Sequence, residues 1–293
     1  MAYVRVNDID HYYEWVGTTT PRDPSSTKPV LVFIHGWAGS ARYWQSTAAA
    51  LSDRYDCLLY DMRGFGRSII SPDQQDAAAA RGYELDTYAD DLAVLLDALG
   101  LQKVSINAHS MGASVAVYFL NQYPLLVEQA ILTCNGIFEY DKAAFDAFYK
   151  FGGYVVAFRP KWLGQLPLAP RFFMARFLSR PIPAAEKIAF LEDFLNADYA
   201  TALGTIFTSV SKKATEVMPV EFAKISVPTL LVSGEFDKIT PAALGRTATE
   251  LNPKIDYALV KNTGHFPMLE DPETYLDYIS DFLEKKTVPS WGG

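Results

Sequence analysis

The sequence predicts an α/β domain: a doubly wound, mostly parallel sheet of eight strands, with a helical insertion before its last two strands. Three observations lead there. Runs such as Val30-Leu31-Val32-Phe33-Ile34 and Thr229-Leu230-Leu231-Val232 are apolar or uncharged throughout, as strands buried on both faces are. Helix-period stretches separate these runs, so the sheet is covered on both sides. Between residues 137 and 224 the strand pattern gives way to helical spacing, clustered prolines (Pro160, Pro167, Pro170, Pro181, Pro183) and crowded aromatics.

Taken in order, Val4-Arg5-Val6 and His11 to Val16 alternate about Asn7-Asp8 and read as a hairpin at the sheet edge. Val30 to Ile34 is the first buried strand, ended by His35-Gly36. Cys57 to Asp61 is the next, followed by the glycine-rich Arg63-Gly64-Phe65-Gly66-Arg67-Ser68. Thr87 to Leu99 carries apolar residues at Leu92, Leu95, Leu96 and Leu99, a helical face. Strands at Val104 to Asn107 and Gln129 to Cys134 follow. After the insertion, Thr229 to Gly234 and Asp256 to Val260 restore the strand pattern, and Pro272 to Leu283 closes the chain as a helix. The expected division is a core of 1–136 and 225–293 around an insertion of 137–224.

With 293 residues, 49% hydrophobic and 20% charged, the chain can bury a large core. A net charge of -8 argues against nucleic acid as partner, because phosphate binding needs a basic face. The two cysteines, Cys57 and Cys134, lie inside apolar runs and read as small buried hydrophobes. The four histidines (His11, His35, His109, His265) form no Cys/His cluster, so neither a metal nor another cofactor is expected. No run reaches the roughly 18 apolar residues of a membrane span, and the N-terminus lacks a signal-peptide pattern. A cytoplasmic protein is the expectation.

The chemistry concentrates in Ala108-His109-Ser110-Met111-Gly112, a serine between a buried strand and the helical stretch Ser114 to Tyr123. An abrupt strand-to-helix turn strains the backbone at the serine and tolerates only small residues two positions to either side. It also exposes the hydroxyl beside helix-terminal N–H groups that favour negative charge. A hydroxyl nucleophile needs a base, and the base an orienting acid.

This segment resembles the nucleophile elbow of α/β-hydrolases, with Ala108 in place of the usual first glycine. Further segments agree with that family. Phe33-Ile34-His35-Gly36-Trp37 is similar to its HG-x motif, and Asp61 to Ser68 to its D-x-R-G-x-G-x-S turn. That turn is not a dinucleotide loop, since Ile69 replaces the third glycine of G-x-G-x-x-G. Ser233-Gly234-Glu235-Phe236-Asp237 resembles the acid loop, and Thr263-Gly264-His265-Phe266-Pro267 the histidine loop. The resemblance implies the α/β-hydrolase fold with a catalytic triad of Ser110, His265 and Asp237, Glu235 being the alternative acid. It implies an oxyanion hole from the Trp37 and Met111 backbone N–H groups, with His35 and His109 structural. The implied activity is hydrolysis of a carboxylic ester. C–C bond hydrolysis, thioester hydrolysis, acyl transfer and a receptor-like role with little turnover use the same motifs.

The resemblance also makes 137–224 a cap over the site. It is aromatic (Phe145, Phe148, Tyr149, Phe151, Tyr154, Phe158, Trp162, Phe172, Phe173, Phe177), and Glu186 is the only acid among the basic residues from 150 to 187. These aromatics form the cap's own core, line a pocket for an apolar ester, or rest on a lipid surface.

Overall fold

The computed structural model describes residues 2–139 and 141–285. The strands are β1 (Ala2–Val6), β2 (Ile9–Val16), β3 (Val30–Ile34), β4 (Asp56–Tyr60), β5 (Val104–His109), β6 (Val127–Thr133), β7 (Thr229–Gly234) and β8 (Ile255–Val260). They form one sheet in the order β1-β2-β4-β3-β5-β6-β7-β8. β2 runs antiparallel to both its neighbours, and every other pair is parallel. The expected edge hairpin is β1–β2, turning at Asn7 and Asp8 with φ of 47° and 64°, which Asn and Asp tolerate. The last eight residues of the expected 225–293 core segment, 286–293, lie outside the described residues.

The core-side helices are α1 (Gln45–Leu51), α2 (Gln75–Arg81), α3 (Leu85–Ala98) and α4 (Met111–Gln122). Between β6 and β7 come α5 (Lys142–Ala157), α6 (Ala169–Met174), α7 (Ala184–Asn196), α8 (Tyr199–Ser209) and α9 (Lys212–Lys224). The chain returns through α10 (Ala242–Glu250), α11 (Pro267–Glu270) and α12 (Pro272–Glu284).

Period-two alternation sorts the core into two layers. Val32, Ile34, Leu58 and Ile106 join one cluster with Leu92, Leu95, Val115 and Phe119 of α3 and α4. Their neighbours Leu31, Phe33, Cys57 and Leu59 join the other, with Leu51 of α1 and Tyr275 and Ile279 of α12. Both faces are therefore dry, which is why these strands read as continuous apolar runs. β3 leads to β4 on one side and β5 lies on the other, so the direction of winding reverses between β3 and β5. A crevice opens at the carboxyl edge at such a point, and it is where doubly wound sheets hold their sites.

Candidate active site

Each predicted site residue lies at that carboxyl edge. β5 ends at His109, Ser110 takes φ 54° and ψ -122°, and α4 begins at Met111. The helix thus starts three residues before the Ser114 expected from apolar periodicity, because the turn is made by Ser110 alone. The small residue two after the serine is obligatory: a Cβ on Gly112 would lie 2.2 Å from the His35 carbonyl oxygen. Ala108, two before it, is packed without strain in the middle of the sheet between Ile34 and Leu132.

The histidine and the acid come from the loops after β8 and β7. His265 Nε2 lies 3.0 Å from Ser110 Oγ, and His265 Nδ1 lies 2.7 Å from Asp237 Oδ2. The second Asp237 oxygen accepts the Ile239 and Thr240 N–H groups at 2.7 and 3.0 Å, which fixes the carboxylate. Glu235, the alternative acid, is exposed and accepts the Asn262 N–H at 2.9 Å instead. Serine, histidine and aspartate are thus linked in one line, with His265 and Asp237 buried and Ser110 half-buried.

Two other histidines hold the frame. His35 Nδ1–H donates to the Gly36 carbonyl, and its Nε2 accepts the Met62 N–H, each at 2.8 Å. His109 Nε2–H donates to the His265 carbonyl at 2.7 Å, while its Nδ1 accepts from the Tyr43 hydroxyl at 3.0 Å. Burial holds both imidazoles below their ordinary pKa, His109 well below, so they stay neutral. The Asp61–Ser68 turn is held from within and from its neighbours: Asp61 accepts from Arg67 and from the Ala41 N–H, and Arg63 is buried against Asp91 at 2.9 Å.

Trp37 and Met111 line the same cavity as Ser110. Met111 opens α4, where first-turn N–H groups have no carbonyl one turn back. Among the described residues neither the Trp37 nor the Met111 N–H has an acceptor. As for metals, His109, Cys134 and His265 bring donor atoms within 4.8 Å of one another. All four ring nitrogens are already engaged in the hydrogen bonds above, and burial raises the Cys134 thiol well above its ordinary pKa. This donor set fits the hydrogen-bonded frame rather than an ion.

Sequence reasoning missed four residues. Glu270, buried in α11, accepts the Gly264 and Phe266 N–H groups beside His265 and also the Ser179 and Arg180 N–H groups, the last two at 2.7 Å. It therefore ties the histidine loop to the α6–α7 connection, where the Phe177 carbonyl accepts the His265 N–H at 2.7 Å. Asn135 donates to the Ser110 carbonyl and to Ser114 Oγ. Asp193 of α7 accepts from Ser40 at 2.6 Å and pairs with Arg42. Tyr43, whose hydroxyl accepts the Gly36 N–H at 2.6 Å, is the fourth. None of these stands at a motif spacing.

The cavity encloses about 640 Å³. Ser110, His265 and Gly36 form part of one wall, and Phe173, Phe177, Phe190 and Ile206 of the β6–β7 segment form part of another. The model of the α/β hydrolase fold family matches residues 29–272. The chain belongs to this family. A proline iminopeptidase of Heyndrickxia coagulans is 26% identical, covering 87% of this chain and 90% of its own. A bromoperoxidase of Bacillus anthracis superposes with a TM-score of 0.78 at 24% identity, over 97% of this chain and 99% of its own. An esterase of Exiguobacterium antarcticum has the same TM-score at 19% identity and the same coverage. The two superpositions show the same fold, and the differing chemistries of the three proteins leave the substrate to be argued from the site itself. No helix among the described residues is long and apolar enough to cross a membrane.

Proposed function

We propose that this α/β hydrolase cleaves carboxylic esters of lipophilic small molecules through an acyl-enzyme on Ser110. The observation that carries the reading is the unbroken line from Asp237 through His265 to Ser110, at 2.7 and 3.0 Å, opening on a largely apolar cavity. In the first step His265 Nε2 takes the Ser110 proton as Oγ bonds to the acyl carbon. Asp237 keeps Nδ1 protonated and stabilises the imidazolium. The Trp37 and Met111 N–H groups receive the oxyanion, each worth about 10²–10³ in rate by analogy with measured donors. The C–O bond then breaks, and His265 returns the proton to the leaving alkoxide. Water, deprotonated by His265, releases the acid and restores Ser110. Residues 137–224 serve as the cap, and Phe173 and Phe177 supply the apolar wall for the acyl or alcohol group.

The test is hydrolysis of p-nitrophenyl esters from acetate to palmitate. Wild type should turn over, with Ser110→Ala reduced by about 10³-fold or more. Equal inactivity of folded wild type and Ser110→Ala on every ester would overturn the reading.

A further inference from the structure

We propose that the face formed by residues 154–172 docks on an anionic lipid surface and sets the cavity mouth against it. Seven of its large side chains face solvent, among them Tyr154 at 63%, Phe158 at 69%, Trp162 at 52%, Leu168 at 58% and Phe172 at 72% exposed. Isolated exposed hydrophobics are ordinary, but a run of them confined to one segment marks a contact surface. Tyr154 and Phe158 stand one turn apart at the end of α5, and Leu168 and Phe172 one turn apart at α6. Trp162 lies in the 3-10 turn between them, and that turn and α6 both pack on α7, which holds the run together.

The charge selects the occupant. From 147 to 185 the chain has no Asp or Glu, although the protein carries a net charge of -8. Arg180 is paired with Asp271, and Arg159 donates to the Val156, Phe194 and Ala197 carbonyls. Lys161 and Arg171 are exposed among the aromatics and have no carboxylate partner among the described residues. Exposed aromatics with interspersed cations are the composition that settles in the headgroup region of an anionic bilayer. The acidic remainder of the molecule would be repelled from the same surface, which fixes the orientation.

The face is continuous with the cavity. Val155, beside Tyr154 and 51% exposed, lines it, and so does Arg176, one turn beyond Phe172. An apolar molecule leaving the bilayer would enter along these residues without crossing bulk water.

Docking does not depend on the proposed ester chemistry, so Ser110→Ala protein is used in the test. It should float with vesicles of equimolar phosphatidylcholine and phosphatidylglycerol, blue-shift its tryptophan fluorescence, and bind pure phosphatidylcholine at least about 10-fold more weakly. Adding Lys161→Glu with Arg171→Glu should cut binding to the mixed vesicles by about 10-fold or more. Adding Phe158→Ser, Trp162→Ser and Phe172→Ser should abolish it, with the melting temperature unchanged in both variants. No flotation with mixed vesicles would overturn the proposal, as would undiminished binding by the charge-reversed variant. A dimer that the triple serine variant converts to monomer, without vesicle binding, would instead assign the face to a second copy of the chain.

Discussion

Around Ser110, at the carboxyl edge of the sheet, position is set by directed polar contacts: His265 is held through both ring nitrogens, its N–H and its carbonyl. Across the cavity, Phe173 packs on Phe194 and Phe177 with ring centroids 4.9 and 5.9 Å apart, contacts that are apolar and less directional. One wall tolerates almost no change of atom type. The other tolerates changes of size and answers with changes of fit. On the proposed function, the first wall carries the chemistry and the second the choice of substrate.

Asp237→Asn breaks that contrast most sharply if it is wrong. The amide cannot hold the same imidazole tautomer, so kcat on a soluble p-nitrophenyl ester should fall about 10³–10⁴-fold with stability little changed. A loss under about tenfold in steady-state assays would show that Asp237 does not orient His265. Glu270→Gln should cost about 2 kcal/mol in urea denaturation, because one carboxylate receives N–H groups from both walls and the amide would turn an NH₂ toward donors. Unchanged stability would mean that the walls are held together elsewhere.

Asp193 gives the pH dependence. Burial raises its carboxyl from 3.8 to about 6 against the pull of Arg42. A carboxyl whose folded pKa stands above its unfolded one destabilises the fold while ionised and ceases to do so once protonated. The stability of wild type relative to Asp193→Asn should therefore rise by at most about 3 kcal/mol as pH falls from about 6 to about 4, whatever the offset left by the lost Arg42 and Ser40 contacts. A gap of constant size across that range, measured by urea midpoints, would contradict the burial argument. The smallest effect belongs to the apolar wall: Phe173→Ala should raise KM for a butyrate ester about 3- to 10-fold and shift preference toward longer chains. An unchanged chain-length profile would remove Phe173 from the substrate pocket.

What was legible in the sequence follows the same division. The turn at Ser110, Gly112 against the His35 carbonyl, and the loops bearing Asp237 and His265 depend on local backbone geometry, so a few adjacent residues betray them. The buried strands were legible because both faces are dry. Glu270, Asn135 and Asp193 were not, because each acts on partners far along the chain, often through backbone N–H groups that any residue supplies. The β6–β7 helices showed only helical spacing and aromatic content. That content divides three ways: Phe145 is buried, Phe173 and Phe177 line the cavity, and Tyr154, Phe158, Trp162 and Phe172 face solvent. The side chains of Phe148 and Phe151 lie outside the described residues. Composition alone does not sort such residues, since the same aromatics serve core, pocket and surface.

The most direct test of the central claim is intact-mass measurement after exposure to a long-chain fluorophosphonate. Wild type should gain one adduct, located on Ser110, Ser110→Ala should gain none, and Asp237→Asn should react far more slowly. Labelling of Ser110→Ala at the wild-type rate, or no labelling of folded wild type, would contradict Ser110 as the nucleophile.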